Sequence, residues 1–401
     1  MNKPAFKLVG VALAVASLAL AGCGTRTDPG TSGGSGGKTA TIGVIAPLSG
    51  DLSALGLGIK NSVDLAIQQA NKNGTIPGWT LKLDAQDDQA TPDVGKNAAT
   101  KLSSDDTVVG VVGTLNSSVA QSVIPVLNSA NIVQVSPANT NPTLTQGTDA
   151  ANPSRPYANY FRTCTTDSVQ GPFAAQYLLG AGIKKVATIH DKKAYGQGLV
   201  EAFTKAFTAG GGTVTDAETI NPDDKDFSAV ISKVKPTGPE AVYYGGEYPQ
   251  AGPLSKQLAA AGLNVPLMGG DGIYDGNYIK LGGRDADLAT SVGAPVETLD
   301  SAKAFVEAYK AAGYSEPYAA YGAYSYDAAN AIINALKVSL ASATDAKSAR
   351  QATITAMANV SFDGATGKVA FDKFGDSVSR VLTVYKVDAG AWKAEKTGSL
   401  Q

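Results

Sequence analysis

The residues able to do chemistry in this chain gather at the ends of short β-branched runs. Thr107 to Val112 is followed by Gly113-Thr114-Leu115-Asn116-Ser117-Ser118, which opens a helical pattern. Ile132 to Val135 is followed by Ser136-Pro137-Ala138-Asn139-Thr140, and Thr39 to Ala46 by Pro47-Leu48-Ser49-Gly50 and then Leu55. Further on, the run ends deliver Tyr195, Glu247 with Tyr248, and Asp271. Ser117 and Ser118 at a helix start are expected capping residues. The same place offers free N–H groups and a positive dipole end to an anion. With the Thr140 hydroxyl nearby, that makes a seat for a carboxylate, where charge-assisted hydrogen bonds are worth roughly 1.5–3 kcal/mol each. Asp271 would complement an ammonium group, and the aromatic residues would cover an apolar body. An amino acid fits this set; caps and solvated loops fit the same residues, and position alone leaves both readings open.

Other chemistries find less support. The 401 residues include one histidine, His190, and two cysteines, which removes most metal sites and most Ser-His-Asp or Cys-His arrangements. No metal and no cofactor is expected. Gly56-Leu57-Gly58-Ile59-Lys60-Asn61 begins like a dinucleotide loop but lacks the third glycine. Ser232-Lys233-Val234-Lys235 and Lys396-Thr397-Gly398 imitate parts of a penicillin-binding signature, with the serine inside a helical pattern and nothing to link the two. His190 ends a strand with no nucleophile placed beside it. Lys and Arg number 33 against 35 Asp and Glu, so no basic stripe serves nucleic acid. At 17% charged the chain is not a disordered acidic tail either.

The elements that must hold these residues alternate. Strands are expected at Thr39–Ala46, Trp79–Ala85, Thr107–Val112 and Ile132–Val135, with helices at Ile59–Lys72, Pro92–Leu102 and Ser117–Ser129 between them. After an irregular Pro- and Asn-rich stretch from Asn141 to Pro156 the rhythm restarts. Strands are then expected at Lys185–His190, Thr213–Thr219, Ala241–Tyr244 and Val265–Gly269, with helices at Gly198–Ala209, Phe227–Val234 and Pro249–Ala261. This is the βαβ pattern of parallel sheets, occurring twice, so two lobes are expected rather than one larger sheet. Helices at Ser301–Ala312 and Ala320–Leu340 could complete either lobe. In open parallel sheets ligands sit beyond the carboxyl ends of the strands, where the polar residues above fall.

Ahead of this region, Met1 to Lys7 is a short basic head and Leu8 to Ala21 an apolar run of about 14 residues, short of the roughly 20 that span a bilayer. The run ends in Leu20-Ala21-Gly22-Cys23, which resembles a bacterial lipobox; cleavage before Cys23 and lipidation of its thiol are expected. Two acyl chains suffice for stable anchoring where one is marginal. Residues 24–37 are rich in Gly, Ser and Thr and read as a tether. Cys164 is then left without an intramolecular partner and is expected to be a buried, small apolar residue.

A resemblance gathers these readings. Ala46-Pro47-Leu48-Ser49-Gly50, Gln170-Gly171-Pro172, His190-Asp191-Lys192 through Tyr195-Gly196-Gln197-Gly198, Asp226-Phe227-Ser228 and Tyr243-Tyr244-Gly245-Gly246 together resemble the leucine/isoleucine/valine-binding proteins, the extracytoplasmic components of ABC importers. The resemblance runs from about Lys38 to Ala335. It implies an α/β type I periplasmic binding protein: two Rossmann-like lobes with parallel sheets, joined by three crossovers and closing on ligand. It implies that Ser117 and Thr140 hold the ligand carboxylate and that the Ala138 carbonyl and Asp271 take the ammonium. Tyr195 and Tyr318 then enclose the side chain, and Leu115 and Asn116 form its wall. Leu55 and Glu247 stand where leucine-binding members carry tyrosines, so Glu247 could meet a polar or cationic side chain, share the ammonium, or point to solvent. The disulfide of the enteric members is missing, with Ala90 and Asn116 at its two ends.

The expectation is therefore a lipid-anchored, extracytoplasmic, monomeric solute-binding protein without enzymatic activity. It would take a branched-chain or similar amino acid, with a basic or polar amino acid, an amide or urea as the other ligands, and pass it to an ABC permease and ATPase. A lipid-anchored sensor would carry the same sequence signature. Lobe 1 is expected at 38–160 with 292–362, and lobe 2 at 161–291 with 363–401.

Overall fold

The computed structural model describes residues 37–400; the signal segment, Cys23 and nearly all of the tether lie outside them. The chain builds β1 (Lys38–Ala46), α1 (Ser53–Lys72), β2 (Trp79–Asp87), α2 (Pro92–Ser104), β3 (Val108–Gly113), α3 (Ser117–Ser129), β4 (Val133–Ser136), the single turn α4 (Thr143–Gln146) and β5 (Tyr160–Arg162). These five strands form one parallel sheet in the order β2-β1-β3-β4-β5. Its strands are near-continuous apolar runs because both faces are covered. Ile42 and Val44 pack toward α1 residues such as Ile59 and Val63, whereas Ile45 and Val111 pack toward Leu102 and Val123 of α2 and α3.

Next come α5 (Asp167–Gly180), β6 (Lys185–His190), α6 (Ala194–Ala209), β7 (Thr213–Thr219), α7 (Ser228–Val234), β8 (Ala241–Gly245), α8 (Tyr248–Ala260), β9 (Leu267–Gly269), α9 (Gly276–Leu281) and β10 (Leu288–Val292). The chain returns as α10 (Lys303–Ala312), α11 (Gly322–Ser339), α12 (Ala346–Met357) and the hairpin β11 (Ser361–Gly364) with β12 (Gly367–Ala370). It ends in β13 (Val381–Asp388) and β14 (Ala391–Ser399). The second sheet runs β14-β13-β10-β9-β8-β6-β7 and is parallel from β10 to β7, with β13 and β14 added antiparallel. The chain therefore crosses between sheets after Arg162, after Val292 and after Ala370. Helices α11 and α12 join the first sheet: Ile332 and Leu336 pack with Val109 and Val133, and Ala365 of the hairpin packs with Leu65 and Phe305.

Two glycines are required by close approach. Gly56 sits in α1, where a Cβ would lie 1.9 Å from the Pro47 carbonyl oxygen. The Gly56–Gly58 segment that starts like a nucleotide loop is thus helical, with Gly56 pressed onto the loop after β1 and Gly58 onto the Tyr318 carbonyl. Gly113 has φ +136°, and a Cβ there would lie 2.1 Å from the Ile45 carbonyl oxygen, so only glycine lets β3 turn into the loop leading to Ser117.

The first and third crossings are tied by one buried charge. Arg162, fully buried, is ion-paired through Nε with Asp376 Oδ1 at 2.7 Å, and donates from NH1 to the carbonyls of Asn139 and Asn141 at 2.6 and 3.0 Å and from NH2 to Thr145 Oγ1 at 2.5 Å. Removing one partner of a buried pair leaves an uncompensated charge. Asp376→Ala should lower unfolding free energy by about 3–5 kcal/mol, read by urea denaturation; a loss below about 1 kcal/mol would show that Arg162 does not depend on it.

Candidate functional site

At the strand ends facing the gap between the sheets lies a narrow cavity, lined by Leu55, Leu115, Asn116, Ser117, Ala138, Tyr195, Glu247, Asp271, Gly272 and Tyr321. Eight of these residues come from the ten that the sequence reading singled out for the ligand. They are supplied by α1, the loop after β3, the start of α3, the loop after β4, the start of α6, the residue before α8, the turn after β9 and the residue before α11. The cavity thus draws on both lobes.

Helix α3 begins at Ser117, with Asn116 as its N-cap, and no side chain caps it. Its capping residue is instead drawn away, because Asn116 Nδ2 donates to Glu247 Oε1 at 2.7 Å. Ser117 is 1% exposed, and its Oγ accepts only a long hydrogen bond, 3.4 Å, from Asn141 N. Thr140 does not line the cavity wall but lies fully buried beside this turn, its hydroxyl facing the Asp167 carboxyl. The uncapped helix start with its weakly bonded Ser117 hydroxyl is an unmet demand for a ligand group.

Asp271, 1% exposed, stands in the turn after β9. Its Oδ1 accepts from Gln170 Nε2 at 3.0 Å and from the Tyr195 hydroxyl at 2.9 Å, and its Oδ2 from the Tyr321 hydroxyl at 2.9 Å. Burial pushes the carboxyl above its ordinary range, and the Gln170, Tyr321 and Tyr195 donors pull it only part of the way back. Tyr195 also accepts from Gly272 N at 3.0 Å, which fixes the ring against the turn.

Glu247 is buried, not at a solvent-exposed rim. Its Oε2 pairs with Lys193 Nζ at 2.8 Å. Burial would raise its pKa, but the Lys193 charge and the Lys193 and Asn116 hydrogen bonds outweigh it, so Glu247 lies below the usual range. Asp191, 3.8 Å from the same Lys193 nitrogen, moves the other way because it is buried beside the Glu247 charge. One lysine thus compensates Glu247, while Asp191 keeps its proton more readily. The lobes are closed: Asn116–Glu247 and Tyr321–Asp271 span the gap, as do Asn141 Nδ2 to the Ala194 carbonyl at 2.6 Å and the Tyr248 hydroxyl to the Asp51 carbonyl.

Tyr318 is a correction to the sequence reading. It belongs to an aromatic cluster with Phe305 and Tyr309, ring centroids 5.4 and 5.6 Å away, and its hydroxyl bonds Glu297. The tyrosine at the cavity is Tyr321, one turn later in the tyrosine-rich stretch from Tyr314 to Tyr326. Gln170 and Lys193 were also missed as site residues, although both sit inside motifs that carried the resemblance. The features that imitate enzymes are absorbed elsewhere. Ser232 Oγ donates to the Ala229 carbonyl within α7, Thr397 Oγ1 shares a hydrogen bond with Thr383, and His190 Nδ1 accepts from Lys192 N. Cys164 is fully buried, its thiol pushed far up by burial.

Two lobes closed on a polar cavity lined from both sides define a binding protein of the bilobal kind. The sequence matches the periplasmic binding protein family over residues 39–391, and the chain belongs to that family. It is 36% identical over 357 residues to Leu/Ile/Val-binding protein homolog 3 of Brucella melitensis, covering 87% of this chain and 92% of that one. The leucine-binding protein LivK of Thermotoga maritima superposes with a TM-score of 0.79 at 27% identity, over 89% of this chain and 98% of that one. The branched-chain amino acid transporter substrate-binding protein LivJ of Streptococcus pneumoniae, in complex with isoleucine, gives 0.78 at 26%, over 90% and 99%.

Asp167, at the start of α5 behind Thr140, is fully buried with neither carboxyl oxygen hydrogen-bonded. Burial pushes it up to about 8, with the Thr140 hydroxyl lowering it only partly. The folded state then holds a proton that the unfolded chain loses near its ordinary value of 3.8, so stability from this group is greatest below that value and falls as pH rises toward 8. Melting temperature measured from pH 5 to 8.5 should fall more steeply for the wild type than for Asp167→Asn; parallel profiles would show that Asp167 is ionised in the fold.

Proposed function

We propose that the protein is an extracytoplasmic, lipid-anchored receptor that takes an α-amino acid of the branched-chain or a related type and presents it, closed between its lobes, to an ABC permease and ATPase. The observation that carries this reading is an uncapped helix start and a buried carboxylate lining one cavity. The uncapped start of α3 with Ser117 and Thr140 suits a carboxylate, and Asp271, supported by the Ala138 carbonyl, suits an ammonium. The Leu/Ile/Val-binding relative from Brucella and the isoleucine bound to LivJ point the same way. Leu55, Leu115 and Tyr195, with Tyr321 in place of Tyr318, would surround the side chain.

No step makes or breaks a bond. Lobe 1, near 38–160 with 292–362, would bind first, and lobe 2, near 161–291 with 363–401, would close over it. Closure is favoured only by contacts the ligand makes in the closed form and lacks in the open one. Lipidation at Cys23 would hold a monomer at the membrane, and a sensor relaying the same closure to a separate membrane protein would use the same site.

The test is thermal melting of protein refolded from denaturant, against a panel of amino acids, amides, urea and sugars. A ligand present at one hundred times its dissociation constant should add about 2.7 kcal/mol; no shift with any α-amino acid would overturn the proposal. Asp271→Asn should weaken an α-amino acid by about 10- to 100-fold, as loss of a charge-assisted bond requires, and weaken its desamino analogue far less. Calorimetric titration would show this, and equal losses for both ligands would remove Asp271 from the ammonium role.

A further inference from the structure

The wall of the cavity carries an acceptor that nothing in the protein satisfies. Asn116 lines the cavity, is 3% exposed, and its Oδ1 is buried without a hydrogen-bond partner. Its orientation is not arbitrary. Glu247 is held by Lys193 at 2.8 Å and can only accept, so Asn116 must turn Nδ2 to it, at 2.7 Å, and Oδ1 away. An apolar group against a buried orphan carbonyl leaves its desolvation uncompensated. A cation is also poorly served, because the carboxylate that Asn116 bonds, Glu247, already has its counter-charge in Lys193.

We propose that the ligand's side chain ends in a neutral hydrogen-bond donor that meets Asn116 Oδ1, so that Asn116 selects a short hydroxyl-bearing α-amino acid over its apolar isostere. This inference rests on the α-amino-acid reading of the same site and narrows it. A site built to bond a hydroxyl discriminates strongly against the analogue that lacks it, whereas an apolar pocket separates such isosteres weakly.

Threonine and valine are near-isosteres that differ in that one group, as serine and alanine differ by one hydroxyl. Calorimetric titration of the purified, refolded protein should find threonine at least about 10-fold tighter than valine, and serine tighter than alanine, as one buried charge-free donor–acceptor pair warrants. Asn116→Leu, provided its melting temperature shows it folded, should erase or reverse the threonine preference. The wild-type ratio decides the matter if that variant does not fold. Valine equal to or tighter than threonine in the wild type overturns the inference and leaves the α-amino-acid site standing. Failure of every α-amino acid to bind overturns the site reading itself, and this inference with it.

Discussion

A carboxylate taken out of water has to be given donors, and Asp271 has its full set only when the two halves of the molecule meet. Gln170 and Tyr195 reach it from α5 and α6 on its own side of the gap. The third donor, Tyr321, comes from the segment that returns to the first sheet. In the closed molecule the acid is fully ringed. Opening strips one donor and readmits water. The site and the closure are therefore one electrostatic problem, and the crossings exist in a form that lets both sides of it be solved by a single chain.

The same logic explains the second polar bridge. Glu247 occupies a place where an aromatic ring would need no partner; a carboxylate there needs two. Lys193 supplies the charge and Asn116 the amide, and Asn116 gives up the capping of α3 to do so. What looks like a side-chain substitution in the sequence is, in the fold, a change shared by three residues. It makes the helix start that faces the cavity more available to an anion, and it makes the wall beside it polar.

Much of this was legible in the sequence because period and position agree. Strands buried on both faces read as continuous Val and Ile runs, and β6, β7 and α3 fall on the residues expected. The polar residues following those runs converge because parallel strands end on one side of a sheet. The region beyond Leu340 was not legible. β13 and β14 form a hairpin closed by Ala389 and Gly390, both at positive φ, a turn that Gly-containing pairs favour, yet only one strand has an apolar face to announce itself. Helix α5 went unread because its apolar residues go almost all the way round, leaving no stripe. Tyr318 rests on the resemblance alone, and spacing does not distinguish the five tyrosines between Tyr314 and Tyr326; packing on Phe305 holds Tyr318 away from the cavity that Tyr321 lines.

Arg162 imposes an order on events that the finished structure conceals. Its counter-charge, Asp376, lies near the carboxyl end, in the third crossing. Whether the chain emerges from a ribosome or is threaded through a translocase, β5 is delivered long before the residue that neutralises it. The first lobe thus cannot complete its interior as an independent early unit, and a chain truncated before the third crossing would keep a buried guanidinium without its anion.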